Sequence, residues 1–219
     1  MKINFSILDE PLKVEGLTVL SIEDVKLFSS VVEWLYNYSE ESNFKIFDSE
    51  FNSLSPQELL LITDLLNYSP NTSTILKKIY SDLEVQINLE PEVKSELEKY
   101  LIKIEELIGH QLIDHSLDLV SDDLSISKLM KALSIKVKME NRSIFNKILD
   151  IVEVYKYLTG KKLLIFVNTC SYMTVEELTE FRSYVILNNT RVLMIEPREI
   201  PDYTNYFLDK DYFLFKRMI

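Results

Sequence analysis

Two groups of residues in this chain have types and spacings suited to chemistry, one basic and one acidic. Between Leu124 and Lys162 stand nine basic residues, Lys128, Lys131, Lys136, Lys138, Arg142, Lys147, Lys156, Lys161 and Lys162, against three acids, Glu140, Asp150 and Glu153. That span carries +6, which leaves −17 for the rest of a 219-residue chain whose net charge is −11. The acidic total argues against a polyanionic partner, but charge partitioned this sharply lets one segment meet phosphates while the remainder repels them. The plainer reading of the same lysines is a solvated helix face. The acidic group lies in DHSLDLVSDD, which supplies Asp114, Asp118, Asp122 and Asp123 after a long helical pattern. Calcium takes roughly six to eight oxygens, so carboxylates converging from this cluster, with loop carbonyls and water, suit it. Asp122 and Asp123 equally suit the positive N-terminal end of the next helix. The segment lacks the spacing and the glycine of an EF-hand.

Nucleotide chemistry meets an obstacle in the glycines, which are Gly16, Gly109 and Gly160 alone. A phosphate loop needs paired glycines ahead of Lys-Ser/Thr, and a dinucleotide fingerprint needs several within one turn. Gly160-Lys161-Lys162 comes nearest, yet position 155 is Tyr and no Ser or Thr follows the lysine. The stretch LLIFVNTCSYMTVEEL (163–178) has the strand–loop–helix layout of a phosphate site, with Thr174 and Glu177 spaced as a helix-opening pair, but its loop holds neither glycine nor lysine. Cys170 follows that strand and reads as a buried structural thiol, because His110 and His115 belong to a helical segment elsewhere. Those histidines are five apart, a poor spacing for shared zinc ligation. Pro201-Asp202 with Asp209-Lys210 echoes a metal-dependent nuclease only in outline, since the carboxylate and lysine are adjacent.

The elements that must position these groups cluster by type. INFSIL (3–8), TVLSI (18–22) and FKIF (44–47) near the start, and LLIFVN (163–168), RVLMIE (191–196) and DYFLFK (211–216) near the end, predict strands. VEELTEFRSYVIL (175–187) predicts a helix between two of them, so a largely parallel, covered sheet is expected. EDVKLFSSVVEWLYNY (23–38) predicts a helix with Val25, Phe28, Val32 and Leu35 inward and Trp34 in the core. From Ser55 to Leu158 the pattern is helical, starting with PQELLLITDLL and including a long stretch from Pro91 whose Leu97, Leu101, Ile104 and Ile108 share a face. Gly109, inside that stretch, is a candidate hinge. The expected organisation is an α/β head at 1–60 and 155–219 and an inserted α-helical leg at 61–154. One cysteine excludes an internal disulfide, and no run is apolar enough for a membrane span. A soluble cytoplasmic protein without a signal segment is expected.

Read as a whole, the chain resembles the short form of the CRISPR-associated spacer-acquisition protein that accompanies the RNA-guided nuclease of type II-A systems. The residues that carry the resemblance run the length of the chain: NFSILDEP (4–11), IEDVKLFS (22–29), LITDLLNYSPNTSTILK (61–77), PEVKSELEK (91–99), KALSIKVK (131–138), KYLTGKKLLIFVN (156–168), EPREI (196–200) and LDKDYFL (208–214). It implies a phosphate-loop-NTPase-like head with a degenerate, glycine-free nucleotide loop, and the helical leg. It implies a ring-shaped homotetramer that binds the ends of linear double-stranded DNA without sequence preference, with no catalysis and no nucleotide. On this resemblance Lys131, Lys136 and Lys147 are the leading DNA-binding residues, followed by Lys128, Lys138 and Arg142. Calcium is the implied metal, held by Asp118, Asp122 and Asp123, with Ser116 and Val120 standing where further acids are expected. Implied partners are other CRISPR adaptation proteins and the RNA-guided nuclease. Two readings from other classes stay open: a metal-dependent nuclease on Asp118, Asp122 and Asp123, and a protein-interaction scaffold.

Overall fold

A computed structural model of the chain describes residues 1–139, 143–158, 160–201, 203 and 205–217. Of the expected site residues only Arg142 lies outside the described set, as does Asp202 of the nuclease-like echo. In chain order the elements are β1 (Lys2–Asn4), β2 (Leu12–Lys13), β3 (Leu17–Ile22), α1 (Val25–Tyr36), β4 (Lys45–Phe47) and β5 (Leu59–Ile62). Then come α2 (Ser73–Asn88), α3 (Pro91–Ile113), α4 (Ile126–Ala132) and α5 (Ile144–Tyr157). The chain closes with β6 (Leu163–Val167), α6 (Val175–Leu187), β7 (Val192–Glu196), β8 (Asn205–Leu208) and β9 (Leu214–Arg217). Two compact units result: Met1–Tyr68 with Met139–Ile219, and Ser69–Lys138.

The first unit is organised by a six-stranded sheet of order β5-β6-β7-β3-β8-β9, in which β9 alone runs antiparallel to its neighbour. Its central strands are buried at nearly every position because both faces are covered, and they are mostly apolar, with Thr18, Ser21 and Glu196 the buried polar residues of β3 and β7. Alternate residues of β6 serve opposite cores: Leu163 and Ile165 pack with Leu27, Val31 and Leu35 of α1, while Leu164 and Phe166 pack with Ile148, Ile151 and Val152 of α5 and with Phe181 and Val185 of α6. The α1 side is completed by a three-stranded antiparallel sheet, β2-β1-β4, whose Ile3, Leu12 and Ile46 join the same core. Burying each such side chain stabilises by about 1.5–3 kcal/mol relative to exposure.

Several expectations change. The face of α1 is Leu27, Val31 and Leu35, and Val25 is 68% exposed. Leu35 faces the core as expected and Phe28 packs against it partly buried, while Leu27 and Val31 take the buried places expected of Val25 and Val32; Asp24 caps the helix, its carboxylate accepting from the Leu27 amide at 2.7 Å. Trp34 does pack on the core, 6.4 Å from the Phe5 ring. PQELLLITDLL forms no α-helix. Pro56–Glu58 is one 3-10 turn closed by a reciprocal Ser55–Glu58 cap, and Leu59–Ile62 then pairs in parallel with Leu163–Phe166. Residues 61–68 and 143–154, assigned from their pattern to the leg, belong to the first unit; of the six side chains that α5 buries, Phe145, Ile148, Ile151, Val152 and Tyr155 join the core of the sheet's second face. The INFSIL strand is confined to Lys2–Asn4, and β2 and β8 add strands that the sequence pattern did not mark.

The second unit is small and helical. Tyr80 of α2, Leu101 of α3, and Ile126 and Met130 of α4 form its core. Thr72 and Ser125 cap α2 and α4 through hydroxyls that accept from Ile75 and Lys128 amides.

Candidate nucleic-acid interface and the loop after β6

The lysines with the clearest freedom to meet an anion sit where α4 gives way to the segment that follows it. Lys131 is on the last turn of α4 and exposed, and Lys136 lies five residues on, also exposed. Neither makes an ion pair or hydrogen bond among the described residues. The segment around them is nevertheless fixed. Asn71 clamps Val137 from both sides, its Nδ2 donating to the Val137 carbonyl at 3.0 Å and its Oδ1 accepting from the Val137 amide at 2.8 Å. The Tyr80 hydroxyl donates to the Ile135 carbonyl at 2.9 Å. Residues 135 and 137 thus anchor the chain, while Lys136 and Lys138 are left exposed. A lysine on a fixed backbone keeps its point charge at a defined place yet retains a flexible stem, which suits phosphate contact without base readout.

The other expected lysines are more occupied. Lys128 donates to the Asp123 carbonyl at 2.7 Å and lies 3.8 Å from the Asp122 carboxylate. Lys147 is half-buried on α5, in the first unit, and its Nζ donates to the Leu66 carbonyl at 2.6 Å. Asp118, Asp122 and Asp123 are all exposed on the segment between α3 and α4. Among the described residues no three His, Cys, Asp or Glu side chains stand together as metal ligands. As arranged, the three aspartates therefore do not fit a calcium site, which needs converging oxygens. Gly109 sits within an unbroken α3 that runs to Ile113, with open space where a Cβ would stand, so no close approach requires glycine there. The stripe on α3 is only partly used: Leu101 is buried, while Ile104, Leu107 and Ile108 are 43%, 56% and 52% exposed.

The loop after β6 has a different occupant from the one its layout suggests. Asn168 takes φ +52 and turns the chain out of the strand, a 3-10 turn spans Cys170–Tyr172, and Thr174 with Glu177 caps α6 reciprocally. The Thr169 and Cys170 amides, placed where such a loop would offer donors to a phosphate, both point at one side chain. Glu196, at the end of β7, accepts from them with Oε1 at 2.8 and 2.9 Å. Glu196 is fully buried, its Oε2 has no hydrogen-bond partner among the described residues, and burial pushes its carboxyl above the ordinary range against the pull of those amides. Cys170 is buried beside it, and burial with the nearby Glu196 charge raises its thiol pKa well above the usual value, as befits an inert structural cysteine. Glu196 was not singled out by composition or motif; its one signal was an acid ending an apolar strand run, RVLMIE. Among the described residues, no helix is long and apolar enough to cross a membrane.

Comparison with known proteins adds to this geometry. The family model described as CRISPR-associated protein (Cas_Csn2) matches residues 37–212. The CRISPR-associated protein Csn2 of Enterococcus faecalis is 42% identical over 214 residues, covering 98% of each chain. A Streptococcus agalactiae protein of the same name is 45% identical over 214 residues, covering 98% of this chain and 97% of its own. A solved structure, Stu0660 of Streptococcus thermophilus, superposes over 99% of this chain and 76% of its own with a TM-score of 0.62 at 15% identity, a likeness of fold.

Proposed function

The chain belongs to the CRISPR-associated Csn2 family, and so to CRISPR adaptation, and on that premise we propose that it is a non-enzymatic protein that assembles as a homotetrameric ring and holds ends of linear double-stranded DNA without reading their sequence. The observation that carries this reading is the pair Lys131, at the end of α4, and Lys136, on the clamped segment that follows, both exposed and unpaired among the described residues. Repeated by symmetry in a closed ring, two such charges per copy become a cationic lining, while the acidic remainder of the chain discourages docking elsewhere. The half-used stripe of α3, Ile104, Leu107 and Ile108, supplies apolar surface for the assembly. The first unit fits a phosphate-loop-NTPase-like head whose nucleotide site has been given over to structure: Glu196 holds the loop amides that a phosphate would claim. Calcium would have to gather Asp118, Asp122 and Asp123, and chelation is therefore one arm of the test. Other adaptation proteins and the RNA-guided nuclease are the partners this role calls for.

The deciding experiment is retention of equal-length linear and closed-circular duplex by the assembled protein, with calcium and with chelator, alongside Lys131→Glu/Lys136→Glu. Linear duplex is expected to be retained and circular duplex released. Affinity should fall by roughly 0.9 log unit per log unit of salt for each phosphate neutralised, and the double variant should show a shallower slope. Equal retention of both DNA forms, or an unchanged slope in the variant, refutes the reading.

A further inference from the structure

One edge of the six-stranded sheet is β9, and no strand pairs with its outer side among the described residues. The turn into it is fixed by Asp209, whose Oδ1 accepts from the Asp211 and Phe213 amides at 3.0 and 2.8 Å, while its own amide donates to the Phe213 carbonyl at 3.2 Å. That last bond makes Asp209 and Phe213 a hydrogen-bonded pair, and facing residues of antiparallel strands alternate between bonded and non-bonded pairs. Phe215 therefore turns its backbone groups toward Phe207, whereas the N–H and C=O of Leu214 and of Lys216 point away from β8. Outward groups on alternate residues are the template for one more strand.

The side chains at this edge are those of a contact surface. Tyr212, Phe213 and Phe215 are all exposed, and Tyr212 takes φ +66, a conformation that favours glycine and is costly for an aromatic residue. Phe215 stands opposite the buried Phe207, so its ring carries the apolar face of the sheet past the last covered strand. An edge lysine commonly wards off a neighbouring strand, but Lys216 lies back over its own sheet, its Nζ 5.7 Å from the centre of the Tyr206 ring. Phe213 and Phe215 thus share one face of the edge, and Lys216 lies on the other with Leu214. Charge decides which occupant fits. β9 ends in Lys216-Arg217, and the cleft beside Lys216 is lined by Lys13 and Arg182 with Glu15 as its one acid, in a chain of net charge −11. A second copy pairing through the same strand would double the positive charge on one short ladder and supply no acid within it. A strand that carries acids is favoured instead.

We propose that β9 is a docking edge for an extended segment of another protein that alternates acids with apolar side chains. Its backbone pairs with Leu214 and Lys216, its apolar side chains cover Phe213 and Phe215 on one face, and its acids meet Lys216 and the neighbouring cations on the other. The surface uses none of the residues assigned to DNA-end binding, so either reading can fail alone. The test titrates the full chain with a capped peptide alternating Glu and Val and, as control, one alternating Lys and Val, and follows hydrogen exchange of the Leu214 and Lys216 amides. The Glu–Val peptide is expected to slow both amides roughly tenfold, and the Lys–Val peptide to leave them unchanged. A Glu–Val peptide N-methylated at alternate residues keeps the charge but loses the strand pairing, and should not protect. Lys216→Pro removes an outward donor at an edge position, where proline is tolerated, and should abolish protection of the Leu214 amide. Phe213→Ser with Phe215→Ser, both at exposed positions, should weaken the peptide roughly tenfold. Equal protection by the two charge types, protection by the methylated peptide, or no protection by Glu–Val overturns the proposal. So does protection of the same amides by duplex DNA, which makes the edge a phosphate contact, or a fall in mass by light scattering on Lys216→Pro, which places a second copy there.

Discussion

Replacing Glu196 by Ala separates a structural role for this carboxylate from an incidental one. The substitution strands the Thr169 and Cys170 amides, which the carboxylate accepts at 2.8 and 2.9 Å in a region that buries both residues. Each stranded buried amide costs about 1–3 kcal/mol, so we expect a loss of about 2–6 kcal/mol before any void is counted. E196Q retains an acceptor oxygen of the same reach and removes the buried charge, and should stay within about 1 kcal/mol of the parent near neutral pH. The pH dependence has a definite sign. Burial raises the folded-state carboxyl pKa above its ordinary 4.5, so the folded chain binds the proton more readily than the unfolded one. That contribution is complete below pH 4.5 and is lost as pH rises through the raised folded value; ionisation therefore erodes the parent relative to E196Q on going from acid to neutral. The assay is urea unfolding followed by fluorescence of Trp34, the single tryptophan, which packs on the core of the first unit. An Ala variant within about 1 kcal/mol of the parent, or parallel pH profiles for parent and E196Q, would refute the account.

Other outcomes follow from features of the second unit. Asn71→Ala removes both bonds to Val137 and should cost about 1–3 kcal/mol, with faster amide hydrogen exchange at Val137 as the local readout. Gly109→Ala, in an unbroken helix with room for the methyl group, should stabilise by about 0.5–1 kcal/mol; a loss of stability would revive the hinge. Ile104→Ser with Ile108→Ser exposes no new core and should leave the fold intact while lowering the mass measured by light scattering, if the α3 stripe is an assembly surface.

How far the sequence could be read depended on whether the deciding contact was local. The β6–α6 passage was legible because an apolar run and the Thr174–Glu177 cap both act within a few residues. β5 was not: Ser55, Pro56 and Glu58 form a true helix-type start that stops after one turn, and LLLI then joins a strand beginning at Leu163, a partner no local pattern names. Likewise α5 is an amphipathic helix on any reading, but its membership of the first unit is decided by Leu164 and Phe166 across the core. Lys131 and Lys136 were legible as cations, whereas the clamp on Val137 comes from a residue 66 positions away. Glu196 is the same case, holding amides 26 and 27 residues back along the chain.

The Asn71–Val137 clamp also bears on how the chain reaches its fold. Strand β5 must pair with β6, and the whole segment Ser69–Lys138 lies between them in sequence. Closing a flexible loop of that length is entropically costly. Once the helical unit has formed, however, Asn71 and Val137 are hydrogen-bonded to each other, and the chain left to close is 63–70 on one side and 138–162 on the other. With a cost that grows as the logarithm of loop length, this shortening is worth about 1 kcal/mol. A helical unit that folded first would act as a kinetic bracket, delivering the two halves of the parallel sheet to one another; on that account Asn71→Ala should slow the appearance of the Trp34 signal on refolding as well as weaken the native state, and an unchanged refolding rate would refute it.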